Sequence, residues 1–340
     1  MTTIAPGTSR LTLFLALGAV WVLWGSVYLG IRLVVNEVDP FQAMAQRFAA
    51  AGVILSLVVV ARRGVRGMRV ERRQLRSLVV TGVLLLGLGN GFQALAQVKG
   101  LPSGVTALVV ATVPAWAVLL RLVTGDRPAS LTLWGVAFGF VGLIVLVALG
   151  HGVGDGIPMV GVALCVGSSI SWTVGSWAQG WLPLPQDVFT IAAYQQLVAA
   201  CCSTVLAVVT HERFSMSYSA KGWVALAHLV FLCSIVGFLA FAWLLTHVPL
   251  SLTATHAYAN PLVAVLLGWL FLSEPIGLPV LLGGGIVVAS VVLVVSAERR
   301  VTAAAEEVDE SVAQRLVGSA HPAAPDPRAA PVEGEANRVT

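Results

Sequence analysis

Residues 101–131, LPSGVTALVVATVPAWAVLLRLVTGDRPASL, and residues 248–278, VPLSLTATHAYANPLVAVLLGWLFLSEPIGL, are two copies of one pattern. Prolines stand at 102, 114 and 128 in the first and at 249, 261 and 275 in the second, with spacings of 12 and 14 in both. Shifted by 147 residues, ten of the 31 aligned positions are identical, including Thr106-Ala107 with Thr253-Ala254 and Ala117-Val118-Leu119-Leu120 with Ala264-Val265-Leu266-Leu267. Apolar bias alone scatters identities; it does not hold three prolines in register. With a shift of 148 the match extends upstream, where Trp24 meets Trp172, Asp39 meets Asp187, Phe41 meets Phe189 and Ala45 meets Ala193. The chain is a duplication.

The duplicated unit belongs in a membrane. Of 340 residues, 57% are hydrophobic and 11% charged, and mean hydropathy is +0.89. A soluble domain carries about 25% charge, so a soluble enzyme, a nucleic-acid binder and a disordered regulator are excluded. Apolar runs of about 20 residues, enough to cross ~30 Å of hydrocarbon, occupy 11–34, 40–61, 77–98, 101–123, 131–149, 157–178, 187–210, 222–246, 249–271 and 276–297. That is five spans per copy. Because five is odd, the second copy enters from the opposite face, the inverted arrangement from which many secondary transporters build alternating access. The expected fold is an all-α integral membrane protein of ten transmembrane helices in two inverted five-helix repeats, residues 10–150 and 156–297. Residues 298–340, rich in Ala, Pro, Glu and Asp, are expected to be a disordered cytoplasmic tail.

Basic residues orient the chain. Arg10, the seven arginines from Arg62 to Arg76, Arg121, Arg127, Arg299 and Arg300 fall on one side, against Arg32, Lys99, Arg213 and Lys221 on the other. Twelve against four places both termini in the cytoplasm, with a bacterial inner membrane as the expected multi-pass location. The four cysteines lie in apolar runs and read as packing residues. No GxxxxGK[ST], HExxH or GxSxG occurs, so no catalytic residue, metal, cofactor or nucleic-acid partner is expected. The expected partners are a small-molecule substrate and the lipid bilayer. A homodimer is a candidate assembly, and a non-transporting sensor or scaffold remains the alternative class.

Polar groups inside hydrocarbon are costly and tend to face the bundle interior or a wet cavity. Helix 3 carries Asn90, Gln93 and Gln97 at i, i+3, i+7, and helix 9 repeats the spacing with Thr253, His256 and Asn260. Helix 1 presents Trp21, Trp24 and Tyr28, and helix 6 Ser168, Trp172 and Ser176. From these faces the substrate-binding set is expected to include Trp24, Tyr28, Asn90, Gln93, Gln97, Trp172, Thr253, His256 and Asn260. His256 is the candidate proton carrier. Arg47, the one charge well inside a span, is the candidate contact for an anionic cargo group. Pro114 and Pro261 remove backbone bonds mid-span and are the candidate hinges. Asp126 and Ser273 read as N-caps of helices 5 and 10. Gly135, Gly139 and Gly142 in helix 5 and Gly283-Gly284-Gly285 in helix 10 form small faces that permit close packing.

The stretch Ala257-Tyr-Ala-Asn-Pro-Leu-Val-Ala-Val-Leu-Leu-Gly, followed by Ser273-Glu274-Pro275, resembles the ninth-helix signature of the EamA-type transporters of the drug/metabolite transporter superfamily. Trp24-Gly25-Ser26 in helix 1 and Arg47-Phe48 in helix 2 are similar too, and the resemblance runs over about residues 10–297. The family's usual acidic residue at the end of helix 4 is Arg127 here. The resemblance implies a ten-helix exporter whose central cavity is lined mainly by helices 1, 3, 4, 6, 8 and 9. Amino acids and their derivatives are the expected cargo, with drug or quaternary-amine efflux as the alternative.

Overall fold

The computed structural model describes residues 10–125, 128–150, 157–247 and 256–297. Among the described residues all regular structure is helical and no strand occurs. In an apolar solvent each span must satisfy its own backbone, and the helix does so. The elements are α1 (Leu11–Val35), α2 (Pro40–Arg63), α3 (Arg72–Val98), α4 (Ser103–Val123), α5 (Ser130–Gly150), α6 (Met159–Gln179) and α7 (Val188–Val209). They continue with α8 (built of Ala220–Ala227, His228–Val236 and Gly237–His247), α9 (His256–Leu272) and α10 (Val280–Ala297). Eight of these are long and apolar enough to cross a membrane; α5 and α9 are shorter apolar helices over Ser130–Leu146 and Ala259–Leu272. Large apolar side chains such as Phe14, Leu57, Trp134, Ile144, Phe231 and Phe271 lie on the outside, as a lipid-facing surface requires.

Helix limits follow the apolar runs closely. An exception is α3, which begins at Arg72, so Arg72, Arg73 and Arg76 stand on helix and not in a loop. Its start is held by Gln74, whose Oε1 accepts from the Glu71 amide at 3.1 Å. The tail 298–340, Asp126, Arg127 and Thr253 lie outside the described residues.

The packing is itself two-fold. α2 against α7 is the most extensive pair, and α4 with α9 and α5 with α10 are further pairs of equivalent elements from the two copies. α3 packs on α6 as α8 packs on α1. The equivalence reaches the backbone: α3 contains a π-helical segment at Gly82–Leu88 and α8 one at His228–Val236, in register under the 147-residue shift. Such wide turns are rare and recur at functional sites.

The two registered prolines behave differently. α4 breaks into Ser103–Val110 and Val113–Val123, where Pro114 cannot donate to Val110. Thr112 patches the break, donating Oγ1–H to the Val109 carbonyl at 2.6 Å and accepting from Trp116 Nε1 at 3.0 Å. Pro261 instead lies inside a continuous α9.

Acidic loop residues hold helix N-termini, where unpaired amides and the helix dipole favour negative charge. Glu274 accepts from the Ser103 amide (2.7 Å), the Ser103 hydroxyl (3.0 Å) and the Gly104 amide (3.1 Å), capping α4. Glu212 accepts from the Phe41 and Gln42 amides of α2. Asp187 caps α7 through the Thr190 amide and pairs with Arg63 at 3.2 Å. The expected cap at Ser273 is corrected: its φ is +53°, α10 starts several residues later, and the following Glu274 turns back to α4. These contacts pair the loop after α9 with the start of α4, the loop after α7 with the start of α2, and the loop after α6 with the end of α2.

Glu37 receives the Ser219 amide and hydroxyl at the start of α8, 2.7 and 2.6 Å away. The Ser219 hydroxyl bond above all, then its amide bond, lowers the Glu37 pKa below its ordinary 4.5. A carboxyl whose folded pKa is depressed contributes stability that is present above the ordinary value and is lost as pH falls through the folded one. The melting temperature of wild type should therefore exceed that of Glu37→Gln above pH 4.5, and the gap should close on further acidification. A gap independent of pH would show that the carboxylate is not the stabilising form.

Candidate substrate site

The motif Trp24-Gly25-Ser26 places three consecutive residues in three different tasks. Trp24 packs edge-on to His256 of α9, with ring centroids 5.3 Å apart, and 4.8 Å from Phe241 of α8. Phe241 and His256 are themselves T-shaped at 5.4 Å, so the three rings form one cluster. Gly25 lets α9 approach: a Cβ there would stand 2.7 Å from Val263 and 3.1 Å from the Asn260 carbonyl. Ser26 donates its hydroxyl to the Leu23 carbonyl at 2.9 Å and meets His228 Nε2 of α8 at 2.8 Å. Asn260 closes the group, its amide nitrogen donating to the carbonyls of His256 and Trp21 at 3.1 and 3.2 Å.

Beside this cluster lies a buried polar network centred on Arg47. Its Nε donates to Ser234 Oγ of α8 at 3.1 Å and its Nη1 to Asn90 Oδ1 of α3 at 3.2 Å. Arg47 is 5% exposed, and Nη2 has no partner among the described residues. The Ser234 carbonyl accepts from Gln196 of α7 at 3.1 Å. Cys233, next to Ser234, donates to the Leu23 carbonyl and lies 3.3 Å from His228 Nε2. Five helices thus meet in one network.

Gln93 donates to Ser168 Oγ of α6 at 3.0 Å, and Gln97 donates to the Tyr28 carbonyl at 3.2 Å while Arg32 donates to the Gln97 carbonyl. Both amide nitrogens are spent on joining helices. Tyr28 is buried against Ala107 and Val110 of α4 and Ala264 of α9. Trp172 stands over Gly89 of α3, where a Cβ would be 3.4 Å from its ring. Ser176 is exposed on the outside. A separate cavity of about 280 Å³ opens at the loop end of the bundle, among Asn36, Glu37, Asp39, Gln42, Arg213 and Ser215.

The two tryptophans matched by the 148-residue shift occupy matched places. Trp172 of α6 lies on Gly89, the residue after the π-helical segment of α3; Trp24 of α1 lies on Gly237, the residue after that of α8. The second contact is the tighter, since a Cβ on Gly237 would be 2.9 Å from Trp24 Nε1 and 3.0 Å from Cδ1. Gly237→Ala should displace the indole and change the tryptophan emission of the folded protein, whereas Gly89→Ala meets an ordinary contact and should not. Equal spectra for the two variants would refute the asymmetry.

Sequence reasoning missed His228, Ser234 and Gln196. His228 does fall on the same helix turn as Cys233 in a π segment, but a π segment leaves no hydropathy signature, so nothing pointed from His228 toward helix 1.

The EamA-like transporter family matches the chain twice, over residues 10–148 and 159–296. The protein described as uncharacterized inner membrane transporter YedA of Escherichia coli (strain K12) is 33% identical over 259 residues, covering 76% of this chain and 82% of that protein. An uncharacterized transporter of Archaeoglobus fulgidus is 25% identical over 273 residues (79% and 92%), and the uncharacterized transporter YvbV of Bacillus subtilis (strain 168) 27% over 235 residues (67% and 74%). A crystal structure 19% identical in sequence superposes with a TM-score of 0.59, over 86% of this chain and 99% of that one, and shares the fold. With its duplicated helical fold and its apolar spans, the chain belongs to the EamA-like transporter family of membrane transporters.

Proposed function

We propose that the chain is a secondary transporter of the bacterial inner membrane. By alternating access it exports small amphiphilic metabolites that carry a carboxylate, amino acids and their derivatives above all. The observation that carries this reading is Arg47. It is a buried cation bonded to neutral groups, and none of the ten helices contains an Asp or a Glu. A guanidinium without a counter-ion is costly in a low-dielectric interior. A cargo carboxylate relieves that cost through charge-assisted bonds to the open N–H groups. The neighbouring rings of Trp24, Phe241 and His256 suit the apolar or ammonium portion of the same molecule.

The remaining parts of the mechanism follow from the duplication. All ten helices cross the membrane with both termini in the cytoplasm, and the halves are inverted repeats sharing a midplane site. Pro114 at the break in α4 and Pro261 in α9 act as hinges. Tyr28 and Trp172 frame the site, and His256 is its candidate proton carrier. Flux of L-phenylalanine and of phenethylamine from proteoliposomes tests the reading: the first should move and the second, which lacks the carboxylate, should not. The ring cluster favours a second reading, efflux of quaternary amines. Movement of phenyltrimethylammonium with no movement of L-phenylalanine would replace the first reading by the second.

A further inference from the structure

The Arg47 network contains a second ionisable group that nothing in the sequence pattern singled out. His228 opens the π-helical segment of α8, and its Nε2 lies 2.8 Å from Ser26 Oγ and 3.3 Å from Cys233 Sγ. Ser26 Oγ and Cys233 Sγ also lie within hydrogen-bond distance of the Leu23 carbonyl, at 2.9 and 3.1 Å. A charged imidazole donates from both ring nitrogens, and these two groups can accept from Nε2–H while giving their own protons to that carbonyl.

Protonation of His228 is compatible with both contacts and adds one positive charge. Ser26 of α1 and Cys233 of its own helix contact His228, and Arg47 of α2, which bonds Ser234 next to Cys233, acts on it electrostatically. α7 presents the neutral Gln196 to the same turn. Among the described residues Arg47 and Cys233 are thus the charged and titratable neighbours, and no carboxylate is there to balance the pair. Asn90 uses its oxygen on Arg47, which leaves its amide nitrogen as a further donor.

We propose that His228 and Arg47 form one pH-dependent site for a monoanionic carboxylate, in which protonation of His228 raises affinity for the anion. Resting on the carboxylate reading of Arg47, this adds its regulation. By linkage the effect is reciprocal: a bound carboxylate draws a proton onto His228, so cargo and proton bind together. The site is lopsided across the two-fold, because under the 148-residue shift Arg47 meets Gln195, which donates to Thr81 at 2.9 Å. One half of the duplication carries the charge.

Cys233 reports on this field directly. In the full-length protein with Cys165→Ala, Cys201→Ser and Cys202→Ser, its labelling by 2-sulfonatoethyl and 2-trimethylammonioethyl methanethiosulfonate can be timed from pH 8 to pH 5. Both reagents need the thiolate, so the ratio of their rates cancels its titration and leaves the local charge. The anionic reagent should win, and its advantage should grow about tenfold or more as pH falls through the imidazole range. His228→Gln, whose amide keeps a donor toward Ser26 and Cys233, should make the ratio independent of pH. Arg47→Gln should lower it at every pH, and Arg47→Lys should restore it. A ratio flat with pH in the parent, a pH response that survives His228→Gln, or no labelling by either reagent overturns the proposal. L-phenylalanine flux in the same vesicles separates the two readings: flux with a flat ratio removes only this proposal, and the expected ratio without flux sustains the site while removing the export reading.

Discussion

Replacing Gly283 by alanine is expected to destabilise the protein by roughly 3 kcal/mol, the upper end of the usual cost of overpacking. A Cβ at Gly283 would stand 2.4 Å from the Leu146 amide nitrogen, 2.5 Å from its Cα and 2.6 Å from its Cβ. These are backbone or backbone-anchored atoms, so α5 and α10 must separate to admit a methyl group. The neighbouring glycines provide a graded control. At Gly284 the obstacle is Leu108 Cδ1 at 2.8 Å, the end of a flexible side chain, and at Gly285 nothing lies within 4 Å. Thermal melting of the three alanine variants in detergent should rank Gly285→Ala near wild type, Gly284→Ala intermediate and Gly283→Ala lowest. A Gly283→Ala variant that melts with wild type would mean that the two helices are not in contact there. The small face of α5 is consumed in the same interface, with Gly135, Gly139 and Gly142 against Val294, Ser290 and Val287.

Arg47→Ala is expected to reduce transport of a carboxylate-bearing cargo about a hundredfold. The estimate takes ~2–3 kcal/mol for a charge-assisted bond lost from a buried site. Because the same change strands Ser234 Oγ and Asn90 Oδ1, some loss of stability accompanies it. Arg47→Lys separates the two effects, since it keeps the cation and loses the fork that reaches Ser234 and Asn90 together. If Arg47 holds the cargo, Arg47→Lys should retain more flux than Arg47→Ala at matched amounts of folded protein. Equal flux in wild type and Arg47→Ala would leave Arg47 a purely structural residue.

The apolar helices were legible, eight of them long enough to cross a membrane, because hydrocarbon imposes both a length and a backbone solution. Trp24 and Trp172 were legible as a pair because duplication preserved their spacing. What escaped was contact between helices distant in sequence. Gln93 and Gln97 share a helical face with Asn90, yet two of the three amides join helices and one bonds Arg47. Periodicity says which residues look the same way; it does not say what they meet. Ser273 was misread for a related reason, since a serine before a helix suggests a cap and only the backbone shows a left-handed residue there.

By itself, then, the sequence determined the solvent, the duplication, the apolar helices and the family, all of which depend on local composition and on chain-wide repetition. Tertiary structure decided how unlike the two copies have become. It broke α4 at Pro114 and left α9 whole around Pro261. It set a π turn in each copy behind a tryptophan, and it gathered Arg47, Asn90, His228 and Ser234 from three helices into one buried network. Those outcomes come from packing and hydrogen bonding between segments as much as 210 residues apart and more, a range over which no periodicity in the chain carries information.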